Sequence, residues 1–311
     1  NAGVWAQQLQ ATLGSNVVSV DHAAVQKQQP GTAAPAFALD VGALGGMYAN
    51  RIWLVGNEHG LGMRNAGRIG AQAGELVITA DGLLQNKGAV HAQQDTRINA
   101  TGGIANAGTL SAERELRVDT DAGLDNSGGT LNARRLEINA ASLRNQGGAI
   151  EQVGAQALQL QARDLGNVQG RIGTVAAGGS TPGGGTGGGD GGSTGGGGSG
   201  GTPGTGGAPG NGSGGTPTVP TAPLATGVLN IAGALDNGGG SIDATGVMQL
   251  DARNSLDNSG GTLGVDTLQV QGEALRNVGG TLQVQGAASA QVQQLDNSGG
   301  RMTLTQTFGL Q

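Results

Sequence analysis

The chain has 311 residues, of which 65 are glycine and five are aromatic (Trp5, Phe37, Tyr48, Trp53 and Phe308). A thick core between packed layers is therefore hard to build, whereas a narrow core of stacked Leu, Ile and Val is not. Net charge is −6 without a basic cluster, and cysteine is absent, which argues against nucleic acid or an anionic membrane surface as a partner and excludes disulfides, thiolate metal sites and a thiol nucleophile.

No charged-then-apolar secretion signal opens the chain, and no apolar run approaches the ~20 residues of a membrane span. It starts in mid-pattern: Asn1-Ala2-Gly3-Val4-Trp5 matches the NAG-x-apolar form of Asn65 to Ile69, so the first residues read as an earlier coil and the chain as a piece of something longer. Residues 1–67 are expected to be degenerate N-terminal coils with an extra-helical loop. Within them NVVSV (16–20) and IWLVG (52–56) read as strands, and residues 25–40, which carry two prolines, as a loop or excursion. Residues 38–67 hold Tyr48, Trp53 and His59. The aromatics are expected in a locally wider core, since aromatics gain most from burial; an exposed contact patch of Tyr48, Trp53 and His59 is the alternative.

From there an apolar-x-Asn corner returns ten times, as in MRNAGRI, LQNKGAV and the twice-exact LDNSGGTL. The asparagines are Asn65, Asn86, Asn106, Asn126, Asn145, Asn167, Asn237, Asn258, Asn277 and Asn297, with steps of 21, 20, 20, 19, 22, 70, 21, 19 and 20. A period of about twenty residues points to a solenoid rather than a globule. Apolar residues alternate within each repeat, as at Leu116 and Val118 or Leu136 and Ile138, so the elements are short strands with one buried face. Two or three such strands cannot bury a face alone. Stacked, each pairing in parallel with its counterpart one repeat along, they can.

The predicted fold is therefore all-β, a parallel β-helix (single-stranded solenoid) of about 20-residue coils, running over 68–175 and again over 227–311. A glycine stands two residues before the next apolar position in every copy: Gly67, Gly88, Gly108, Gly129, Gly148, Gly170, Gly240, Gly261, Gly280 and Gly300. These corner glycines are expected to turn the chain with positive φ. The stacked asparagine amides are expected to form a structural ladder along one corner, each donating to the next.

Residues 176–226, rich in Gly, Ser, Thr and Pro, cannot pack a core and are expected to be a flexible insertion. GRIGTV before the tract and GVLNIAGALDN after it make one complete repeat between them, so the two halves are expected to continue one solenoid.

Candidate chemistry is sparse. The position before each asparagine carries Asp125, Asp236, Asp257 and Asp296, but also Arg64, Arg144 and Arg276; interleaved charges read as a surface charge ladder better than as the carboxylate pair of a glycan-cleaving enzyme. His22, His59 and His91 lack metal-ligand spacing. GGSTG at 191–195 matches a nucleophile-elbow pattern only because glycine is so abundant. No catalytic, cofactor or metal site is expected.

LGGMYANRIWLVGNEHGLGMRNAG (44–67) and the LDNSGGTL coils resemble the filamentous haemagglutinin family of two-partner-secreted exoproteins of Gram-negative bacteria. The resemblance implies a right-handed β-helical shaft and export through the periplasm and a partner outer-membrane transporter barrel. It also implies a non-enzymatic role in adhesion at the cell surface, through a receptor or glycan of host cells or neighbouring bacteria. The alternative is the stalk of a contact-dependent growth inhibition protein that delivers a toxin. A β-helical polysaccharide lyase or hydrolase using Asp236 and Asp257 is more remote. The family's amino-terminal secretion domain and a carboxy-terminal effector are not evident, and the Gly-rich tract departs from its pattern.

Overall fold

The computed structural model describes residues 3–19, 25–27, 36–153, 156, 158–175, 227–243, 248–306 and 308–310. Alternating apolar residues and glycine-closed corners leave each repeat with three short strand segments, and every coil stacks on the next. The segments after the corner glycines, from Gly3–Trp5 to Arg301–Leu304, form a parallel 12-stranded sheet. The other two segments of each coil belong to an 18-stranded sheet that folds around a second corner. In some coils they are separate, as Leu76–Ala80 and Leu84–Asn86; in others one long strand covers both, as Glu115–Asp125 does with a register shift between Thr120 and Gly123. Among the described residues there is no helix. The chain is a parallel β-helix.

Side chains alternate in and out as the period of two requires. In one coil Leu131, Ala133, Leu136, Ile138 and Leu143 all point inward and are buried. Their counterparts one coil earlier are Leu110, Ala112, Leu116, Val118 and Leu124. Like stacks on like, so a narrow shaft reaches full burial without aromatics. Removing one such leucine from water contributes roughly 1.5–3 kcal/mol.

Coils on the two sides of the long sequence gap pair directly. Leu160 aligns with Leu229 and Ile172 with Ile242, in parallel. The expected insertion at 176–226 lies outside the described residues, as do His22 and GGSTG 191–195.

The N-terminal third departs from expectation in three places. Gly3–Trp5 does join the stack, but its partners are Gly46–Ala49 with Val4 opposite Met47, and Met47 opposite Ile69. Val4, rather than Trp5, occupies the inward position of Ile69, one residue off the motif match. Asn16–Val18 pairs antiparallel with Val25–Lys27 outside the coil sheets. Phe37–Val41, expected as loop, is a coil strand lying on Gly62–Asn65.

Candidate functional site: the asparagine ladder and the outward columns

All ten asparagines stack at one corner. Each Nδ2 donates to Oδ1 of the asparagine one coil on: Asn65 to Asn86 at 2.8 Å, Asn86 to Asn106, Asn106 to Asn126, Asn126 to Asn145 and Asn145 to Asn167 at 2.7 Å. Asn167 donates to Asn237 and Asn237 to Asn258 at 2.7 Å, Asn258 to Asn277 at 2.8 Å and Asn277 to Asn297 at 2.7 Å. The second amide hydrogen has its own acceptor, a carbonyl in the first strand of the next coil, such as Thr130 for Asn106 at 3.2 Å and Thr262 for Asn237 at 3.0 Å. Asn86 to Asn277 are buried to within 1% exposure. A buried amide is stable only when fully paired, and here stacking itself supplies the partners. Below Asn65 the equivalent position is Val41, so the ladder begins one coil inside the stack.

The glycine column works differently from the expected positive φ. Left-handed φ falls one residue earlier, at Gly128, Gly147, Gly239, Gly260, Gly279 and Gly299, with Gln169 (φ 54°) filling that place in its coil. Gly129, Gly148, Gly170, Gly240, Gly261, Gly280 and Gly300 are needed because the coil beneath crowds them. A Cβ at Gly148 would strike the backbone oxygen of Asn126, and one at Gly280 that of Asn258. In the shorter corners of Gly67, Gly88 and Gly108 the obstructing oxygens belong to Gly45, Gly67 and Gly88.

The outward carboxylates beside the ladder are committed to turns. Asp125 Oδ1 accepts from the Ser127 amide at 3.0 Å, Asp236 from Gly238 at 2.9 Å, Asp257 from Ser259 at 2.9 Å and Asp296 from Ser298 at 3.0 Å. The Ser298 hydroxyl and amide hold the Asp296 carboxyl below its usual range, with Arg276 adding a smaller pull. Arg144 stands 3.8 Å from Asp125, a loose surface pair. Aspartate two residues before an amide is a local turn signature, present in every D-N-S and D-N-G of the sequence; it assigns these aspartates a cap and was missed by reading the column for charge alone. Asp236 and Asp257 are neighbours in register, each with its own amide to hold.

Tyr48, Trp53 and His59 are not brought together. Tyr48 points out of the 12-stranded sheet, half-buried, and stacks on Trp5 with ring centroids 4.4 Å apart. Trp53 points outward from the other sheet between buried Ile52 and Leu54. His59 sits in a turn, its side chain 98% exposed and 3.6 Å from Asp81. The expected wider aromatic core is thus corrected: with leucine and isoleucine filling the interior of these coils, both aromatics fall on outward positions. An ion cluster with a buried carboxylate lies elsewhere, where Asp95, 5% exposed, accepts from Arg114 Nε at 2.7 Å and Arg97 stands 3.4 Å away. That hydrogen bond, above all, holds the Asp95 carboxyl below the usual carboxylate range against its own desolvation. Among the described residues no group of three His, Asp or Glu side chains could hold a metal.

A buried amide ladder, crowded glycine corners and outward carboxylates committed to their own turns define a structural class: a parallel β-helical repeat shaft. The chain is 48% identical over 100 residues to a Toxin CdiA of Yersinia pestis, 44% over 92 residues to a tRNA nuclease CdiA-2 of Burkholderia pseudomallei and 38% over 100 residues to a 16S rRNA endonuclease CdiA of Enterobacter cloacae. These matches cover 32%, 30% and 32% of the chain but only 3% of each relative. No family model and no solved structure matches it. Over these stretches the chain is similar to the CdiA proteins, and that likeness together with the parallel β-helix supports a filamentous haemagglutinin-like repeat shaft.

Proposed function

We propose that this segment is a non-enzymatic spacer of a secreted, surface-displayed bacterial exoprotein, and that it serves contact with other cells by holding a distal region away from the surface that carries it. The ladder carries the reading: nine consecutive amide bonds run through the coils, an investment in continuity. The outward carboxylates support it, because Asp236 and Asp257, the pair a glycan-cleaving enzyme would need, each hold a turn amide.

Two uses of such a shaft remain distinct, an adhesin and a toxin-delivery stalk. The likeness to proteins named as toxins and nucleases favours the stalk of a contact-dependent inhibition protein. Their nuclease names describe those whole proteins, of which the matched stretch is a small part. Export through the periplasm and an outer-membrane transporter barrel belongs to the same proposal.

The test is a binding and activity assay on the purified chain with sibling bacteria, epithelial cells and erythrocytes. The stalk reading expects neither saturable binding to host cells nor cleavage of RNA or acidic glycan. Saturable binding to host cells would move the segment to the adhesin reading. Cleavage that disappears in Asp236→Ala or Asp257→Ala would overturn both.

A further inference from the structure

We propose that the Asn237–Gly238 linkage is a deamidation site which coil stacking keeps closed, so that opening of the shaft at this coil becomes chemically irreversible. Of the ten ladder asparagines Asn237 alone is followed by glycine; each of the others precedes a residue with a Cβ. Glycine neither shields its own nitrogen nor restricts the backbone rotation that brings that nitrogen to the side-chain carbonyl carbon. The reaction is internal. Gly238 N gives its proton to hydroxide and attacks Asn237 Cγ; the N–Cγ bond forms, the Cγ–Nδ2 bond breaks, and ammonia leaves with a proton from water. A water molecule then opens the cyclic imide at either carbonyl, leaving aspartate or isoaspartate at position 237.

In the stacked coil every participant is restrained. The Gly238 N–H donates to Asp236 Oδ1 at 2.9 Å, which turns the nitrogen toward a carboxylate and makes its deprotonation harder. Asn237 Nδ2 donates to Asn258 Oδ1 at 2.7 Å and to the Thr262 carbonyl at 3.0 Å, while its Oδ1 accepts from Asn167 at 2.7 Å. The side chain is fully buried, at 0% exposure, so neither hydroxide nor water reaches Cγ. Opening the coil frees the Asn237 side chain from its neighbours and exposes Cγ, and unfolding of the turn then frees the Gly238 amide from Asp236. It is also the coil whose stacking spans the greatest sequence separation in the ladder, 70 residues, and re-closing a long loop is entropically the least favourable.

The product cannot restore the ladder. A carboxylate oxygen would stand where Nδ2 stood, facing Asn258 Oδ1 and the Thr262 carbonyl, so three acceptors would meet without a donor. The coil would remain unstacked from its neighbour.

The experiment compares the whole chain in mildly alkaline native buffer and in urea, reading conversion at position 237 by peptide mass spectrometry with isoaspartate resolved from aspartate. Asn211, the other asparagine followed by glycine, reports in the same digest that the conditions deamidate. Conversion at 237 at least about tenfold faster in urea than in native buffer is expected, because reaction requires opening. Equal rates in the two buffers overturn the gating, and no conversion at 237 in urea while Asn211 converts overturns the site. The Asn237→Asp variant, refolded from urea, is expected to show faster amide hydrogen exchange over 237–262 than the wild type; wild-type protection there overturns irreversibility.

Discussion

Asn167 and Asn237 are 70 residues apart in sequence, yet the amide of the first donates to the carbonyl oxygen of the second at 2.7 Å, the same distance as between Asn126 and Asn145. The ladder treats the two as adjacent coils. Removing residues 178–222 would leave six residues between Val175 and Gly227, where a regular coil passes from Thr130–Ala133 to Arg135–Arg144 with one. The shortened chain is expected to unfold at an equal or higher denaturant concentration, gaining up to about 2 kcal/mol from the shorter loop by (3/2)RT ln n. A clear loss in urea unfolding would mean that the segment supports the coils rather than hanging from them.

Asn126→Leu removes one rung and orphans two groups, Asn106 Nδ2 on its ladder side and Asn145 Oδ1, both inside the shaft. Two buried polar groups without partners cost about 2–5 kcal/mol together. Because a solenoid is nearly one-dimensional, the loss should be local. Amide exchange is expected to accelerate most in the coils of Asn106, Asn126 and Asn145, and unchanged exchange and melting would contradict the ladder's role in stability.

Adjacent glycines at one corner fail for different reasons. Gly147 has φ 59° and open space around a would-be Cβ, so Gly147→Ala should cost only the left-handed backbone penalty of about 1 kcal/mol. Gly148 has ordinary φ, but its Cβ would meet the Asn126 carbonyl, so Gly148→Ala must push two coils apart and should cost about 2–3 kcal/mol. Equilibrium unfolding of the two variants gives the order directly, and Gly147→Ala as the worse of the two would show that left-handed φ, and not crowding from the coil beneath, dominates the cost at this corner.

That contrast shows where sequence reading stops. The twenty-residue period, parallel stacking and alternation were legible because Asn126, Leu136 and Ile138 recur in phase, and recurrence is a one-dimensional property. The reason for Gly148 was not, because the atom that excludes a side chain belongs to a residue 22 positions away. Trp5 was misplaced for a related reason: NAGVW matches the NAG-x-apolar spelling of a later corner, but inter-strand pairing aligns Val4 with Met47. Tyr48 was expected inward because aromatics gain most from burial, yet its sheet had already given the inward places to Met47 and Ala49.

Gln169 marks a corner that can be improved. It holds φ 54° where six other coils have glycine, donating its amide to the Gly238 carbonyl at 3.0 Å. Gln169→Gly keeps that backbone bond and relieves the left-handed strain, less the added chain entropy of glycine, for a gain of about 1 kcal/mol. A higher melting temperature with unchanged circular dichroism is expected. A lower one would show that the Gln169 side chain contributes packing that outweighs its backbone.

Asp95 sets an acid limit on one part of the shaft. Its carboxyl is held below the ordinary value chiefly by the Arg114 hydrogen bond, with Arg97 contributing charge. A group whose folded pKa is depressed binds protons more weakly folded than unfolded. Its stabilisation is therefore complete above the unfolded value of about 3.9 and is lost as pH falls through the folded value beneath it. Arg114 is 65% exposed, so solvent screens the pair and Asp95→Asn should cost about 1–2 kcal/mol at neutral pH. The loss should be largest near pH 7 and shrink below about pH 4, where wild type and variant converge. Parallel urea titrations across that range would show it, and a difference that stays constant with pH would assign the loss to packing at the buried side chain instead of to its charge.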